Sequence, residues 1–111
     1  MKKLLILFCI CTSALAQDFP DGMVAVEFNA SFNKANEVAW VPKLTDCEVE
    51  RVDITADARW SKEYKIVVVP TIVIFNNNEE VKRFQANIMM TMEATKSEVQ
   101  NSIDEIVMEA F

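Results

Sequence analysis

Lys65-Ile66-Val67-Val68-Val69-Pro70-Thr71-Ile72-Val73-Ile74-Phe75 carries the strongest strand signal in the chain. Runs this rich in β-branched residues suit a strand that is buried on both faces. Pro70 lies inside the run. Directly after it, Asn76-Asn77-Asn78 reads as a turn, because asparagine tolerates positive φ better than any residue except glycine. Glu80 to Ala86 then alternates, with Val81, Arg83 and Gln85 on one side and Lys82, Phe84 and Ala86 on the other. That is the pattern of a returning hairpin strand.

The elements around this hairpin follow from the same periodicities. Downstream, Thr95-Lys96-Ser97-Glu98 fits a capping box. Val99, Ile103, Ile106, Val107 and Ala110 follow at helical spacing as one apolar stripe. Upstream, Ala56 to Tyr64 reads as a helix of about two turns. Cys47 to Ile54, with Val49, Val52 and Ile54, reads as a strand. Asn33 to Leu44 suggests a short helix, interrupted or bent near Pro42. Met23-Val24-Ala25-Val26-Glu27-Phe28 is another strand of the doubly buried kind. Trp40 and Trp60 fall on the two short helices and are expected to pack against the sheet. A βαβ unit, a hairpin and a closing helix imply an α/β sandwich with a mixed four-stranded sheet flanked by three helices.

The chain has 111 residues, 51% hydrophobic and 25% charged, which suits one globular domain. It has no histidine, which removes histidine acid–base and nucleophile pairs and most zinc or copper sites. Its single glycine, Gly22, cannot build a phosphate or dinucleotide loop. The net charge of −6 argues against nucleic-acid partners. No Asp-x-Asp-x-Asp-Gly loop exists to hold calcium. No cofactor and no metal are expected. Residues 1–16 open with Met1-Lys2-Lys3, run apolar from Leu4 to Cys11 and end Ala14-Leu15-Ala16. This is the pattern of a cleaved secretory signal, with residues 17–111 as the mature domain. The run is too short to span a bilayer. Export to the periplasm or beyond the cell is expected. Cleavage would remove Lys2 and Lys3, taking the net charge to −8, and would leave Cys47 as the sole cysteine. An internal disulfide is then impossible.

With a proline inside its strongest strand, this element order resembles the thioredoxin family. Three stretches carry the likeness over nearly the whole mature chain. Val24-Ala25-Val26-Glu27-Phe28-Asn29-Ala30-Ser31-Phe32 resembles the strand that leads into the family's active-site turn. Val52-Asp53-Ile54-Thr55, with Tyr64-Lys65-Ile66 and Val69-Pro70-Thr71, resembles its middle strand, helix and cis-proline loop. Phe75-Asn76-Asn77-Asn78-Glu79 resembles its terminal hairpin. The family's optional leading strand and helix are missing, and the segment after the active-site turn is several residues short. The first helix is therefore expected to be abbreviated. Where the family carries Trp-Cys-Gly-Pro-Cys, this chain has Phe32-Asn33-Lys34-Ala35-Asn36. Thiol–disulfide exchange needs an attacking thiolate and a resolving thiol, and asparagine supplies neither.

The resemblance places Glu27 where the family keeps a partly buried acid and Arg51 where a basic residue accompanies it. A buried ion pair is the simpler reading, and an acid retained for other chemistry is the alternative. Val69 stands where the family's backbone meets an extended peptide, a mode in which main-chain bonds give affinity. Phe32, Asn33, Lys34, Ala35, Asn36, Val69 and Pro70 are thus the candidate binding face for a protein or extended peptide, with no redox chemistry. One alternative makes Cys47 an exposed reactive thiol, against the plainer reading of a small buried hydrophobe. Another uses Ile88, Met89, Met90 and Met92 as an adaptable contact patch of an assembly subunit, where core packing is the plainer reading.

Overall fold

In the computed structural model, which describes residues 18–109, four strands form one mixed sheet. They are β1 (Met23–Asn29), β2 (Glu48–Asp53), β3 (Thr71–Asn76) and β4 (Glu79–Gln85), in the order β2-β1-β3-β4. β1 pairs parallel with β2, placing Glu27 beside Arg51, and antiparallel with β3, placing Glu27 beside Ile72. The two central strands are the near-continuous apolar runs, and both are buried through their length. The charged strands β2 and β4 form the edges. Asn77 and Asn78 both adopt positive φ, 54° and 65°, and close the β3–β4 hairpin in two residues.

Side-chain alternation divides the core between the two faces. Val24, Val26, Phe28, Val73 and Phe75 point to one face, where Trp60 and Tyr64 of helix α1 (Arg59–Tyr64) pack with Phe19. Ala25, Ile72 and Ile74 point to the other, against Val38, Val41, Leu44 and the stripe Val99 and Ile103 of helix α2 (Lys96–Glu109). The capping box is present at the start of α2. The Thr95 N–H donates to Glu98 Oε1 at 2.8 Å, and the Glu98 N–H donates to Thr95 Oγ1 at 3.2 Å.

The first helix is abbreviated to two 3-10 segments, Ser31–Asn36 and Val41–Lys43. Asparagines at 33 and 36 favour caps and turns over helix interiors, and Pro42 has no N–H to continue a ladder. Helix α1 begins at Arg59, later than the apolar spacing from Ala56 suggested. The strand expected from Lys65 starts only at Thr71. Before it, Ile66 and Val69 turn into the core while Val67 faces solvent. The Thr71 hydroxyl donates back to Val68 O at 2.7 Å, which holds that bend. The Val69–Pro70 bond is cis, as the resemblance implied.

The expected leader and its cleavage point lie outside the described residues. Among the described residues, no helix is long and apolar enough to cross a membrane.

Candidate functional site

β1 delivers the chain to the first 3-10 segment, and the tight turn there sends neighbouring side chains in opposite directions. Phe32 points outward, 73% exposed, and Asn33 points inward, 4% exposed. The Asn33 amide group lies 3.1 Å from Asn29 Oδ1, 3.1 Å from Met90 O and 3.4 Å from Val69 O. In return Asn29 Nδ2 donates to Asn33 O at 3.3 Å. Asn36 Nδ2 donates to Asn33 Oδ1 at 2.8 Å. One side chain therefore ties together the end of β1, the segment before Pro70 and the loop before α2. An amide has two N–H groups, so its three acceptors share them, and the longest contact, to Val69 O, is the weakest.

These positions divide the expected binding face. The side chains of Asn33, Val69 and Pro70 are buried, so Asn33 offers no surface hydrogen bond and Val69, from which only backbone contact was expected, offers no surface side chain. Asn33 is drawn in by backbone carbonyls that need donors, and Val69 by the apolar face beneath it. Phe32, Lys34, Ala35 and Asn36 are exposed. Lys34 pairs with Glu37 at 3.7 Å.

Beside Phe32 lies an apolar groove of about 240 Å³, formed with Ile54, the segment Ile66–Val69, and Asn87, Ile88 and Met90. Val67 is 76% exposed and Ile88 94%. The loop presenting Ile88 is built around Asn87, whose Oδ1 accepts from the N–H groups of Met89 and Thr91 and from the Thr91 hydroxyl. Met90, at φ 62°, turns its carbonyl toward Asn33. Met89 is exposed, whereas Met92 packs against the core beside α2. Ile88 and Met90 of this segment thus meet Phe32 in one groove. Reading the sequence missed Val67, because its run looked uniformly buried, and Asn87, whose polar side chain gave no long-range signal.

Glu27 is buried beneath the second face. Its Oε1 accepts from Arg51 Nε at 2.8 Å and its Oε2 from the Val38 N–H at 2.8 Å. Arg51 also donates to Val38 O and sits 3.4 Å from Glu37. Both carboxylate oxygens are used in holding the 3-10 region onto the sheet, so this geometry is that of the ion pair. Losing Arg51 would strand the buried carboxylate, at about 3–5 kcal/mol.

Cys47 is half-buried against Val49 and the core beside α2. Burial, with Asp46 and Glu48 beside it, pushes its thiol up to about 11. At neutral pH it is a thiol rather than a thiolate, which weighs against a reactive role. Among the described residues, no group of three or more histidine, cysteine, aspartate or glutamate side chains is placed to hold a metal ion.

No known protein family's sequence pattern matches the chain, and no curated protein matches it. Solved structures do. Thioredoxin 1 from the thermophilic eubacterium Thermosipho africanus superposes with a TM-score of 0.59 at 24% identity, over 78% of this chain and 97% of that one. Thioredoxin-2, a component of the malaria parasite protein secretion machinery, gives 0.63 at 13% identity, over 79% and 86%. The germline-specific thioredoxin Deadhead of Drosophila gives 0.55 at 16% identity, over 96% and 99%. With its β2-β1-β3-β4 sheet, its flanking helices and these neighbours, the chain has the thioredoxin fold.

Proposed function

We propose that this chain is an exported, redox-inactive binding module that holds an extended peptide or protein segment in the groove beside Phe32. The observation that carries the reading is the exposed apolar surface of Phe32, Val67 and Ile88 around that groove. Apolar area left in water is worth about 25 cal/mol per Å² when a partner covers it. Val69 is one of the residues lining the groove. Its carbonyl is held by the longest of the Asn33 contacts, and among the described residues nothing accepts from its N–H. The N–H is thus left as a donor for strand addition by a ligand. Redox inactivity rests on Asn33 and Asn36, whose amides bond to each other where the family keeps its cysteines. Export rests on the pattern of residues 1–16.

The test is photo-crosslinking in the native compartment. The photoreactive residue replaces Ile88, with a control at the exposed Lys96 on α2. A discrete adduct is expected from position 88, absent at 96 and lost when Phe32→Ser is added. Identical adducts from both positions, none from either, or an adduct indifferent to Phe32→Ser would reject the groove as the binding surface.

A further inference from the structure

Strand β2 has β1 on one side and, among the described residues, no strand on the other. The Ile54 N–H donates to Asn29 O at 2.9 Å, which sets the phase of the parallel ladder. In such a ladder alternate residues turn both backbone groups toward the same neighbour. Ile54, Val52 and Glu50 therefore face β1, and Val49 and Arg51 turn their N–H and C=O groups to the open side.

The charge of this edge is one-sided. Glu48 and Glu50 stand two residues apart on the sheet face where Val52 packs. Neither is in an ion pair with any described residue. Arg51, the sole basic residue of the strand, is on the opposite face and committed to Glu27 and Glu37. A second copy of β2 would bring its own carboxylates to this edge, and like charges across a strand pair repel. A basic strand would meet complementary charge. None of the β2 residues lines the groove beside Phe32, so the two surfaces are separate.

We infer that the outer edge of β2 takes up an extended basic segment as a fifth strand. Its backbone bonds to Val49 and Arg51, and basic side chains at alternate positions stand opposite Glu48 and Glu50. Exposed sheet edges are templates for strand addition, and cross-strand charge pairs select what is added.

The experiment uses amide exchange and chemical shifts of the isotope-labelled protein with a capped Arg-Val-Arg-Val-Arg-Val peptide. An otherwise identical peptide with glutamate for arginine is the control. The basic peptide should slow exchange at the Val49 and Arg51 amides, and the acidic one should leave them unchanged. The double substitution Glu48→Lys/Glu50→Lys should weaken binding about tenfold. The neutral pair Glu48→Gln/Glu50→Gln should weaken it less, and serves if the lysine variant does not fold. The inference is overturned by shifts confined to Phe32, Val67 and Ile88, by absence of binding, or by affinity indifferent to both substitutions. It is equally overturned if Val49 and Arg51 are already protected in the free protein, since the edge would then have another occupant.

Discussion

Asparagine at position 33 does what few side chains can, because it is donor and acceptor at once. Its oxygen takes the Asn36 amide while its nitrogen serves the end of β1 and the Met90 carbonyl. Removing a buried partner leaves the others unsatisfied, at about 1–3 kcal/mol. Asn33→Ala should therefore lower stability by about that amount, read from the urea midpoint. Asn33→Asp should cost more at neutral pH, because a carboxylate would face the carbonyl oxygens of Met90 and Val69 with no proton to offer. An aspartate variant as stable as the parent would refute this view of the residue.

Among the elements, the segment before β1 is anchored to the core at Phe19. Phe19 is buried among Phe28, Trp60, Tyr64 and Phe75, with ring centroids 5.1–6.3 Å away. Its backbone is clamped by Asn78, which accepts from the Phe19 N–H at 3.0 Å and donates to its carbonyl at 2.7 Å. The residue thus joins the hairpin turn, the central sheet and α1. Phe19→Ala should destabilise the fold by about 3–5 kcal/mol, and Phe19→Leu by clearly less, in denaturant titrations. Negligible losses for both would mean that Phe19 holds the segment by its backbone alone. Helix α2, in contrast, is set by local signals, its capping box and its apolar stripe.

At the scale of the whole molecule, stability should depend on pH at both ends of the range. Burial would raise Asp18, but hydrogen bonds from Tyr64, at 2.5 Å, and Arg59 outweigh it and hold the carboxyl below its ordinary value. Its contribution is full above the ordinary carboxylate pKa and lost as pH falls through the lower folded value. Tyr64 is pushed the other way, by burial and by Asp18, and Cys47 rises to about 11. Those contributions are full below the ordinary pKa of each group and fade as pH rises through the folded values. The urea midpoint should be level near neutrality, then fall in acid and above pH about 9. Tyr64→Phe removes the hydroxyl and one of the bonds to Asp18, so it should flatten both limbs. An unchanged profile in that variant would sever the pH dependence from this pair.

What the sequence determined by itself was whatever depends on near neighbours. The doubly buried runs of β1 and β3, the Asn77–Asn78 turn and the Thr95–Glu98 cap are all legible because two-residue alternation, positive φ and i,i+3 bonds act over a few positions. The likeness of three stretches to a known family supplied the cis bond at Pro70 and the Glu27–Arg51 pair, while the strand order of the sheet came from the structure. Only the tertiary structure decided that Asn33 turns in while Phe32 turns out, that Val67 is exposed beside a buried Val69, and that β3 begins after Pro70. It also decided that Ile88 and Met90 join Phe32 in one groove and that the Val49 and Arg51 amides face a side of β2 with no further strand among the described residues. The reason is distance along the chain. Asn33 is placed by carbonyls 36 and 57 residues away, and no local pattern encodes which of two adjacent side chains such distant partners will draw inward.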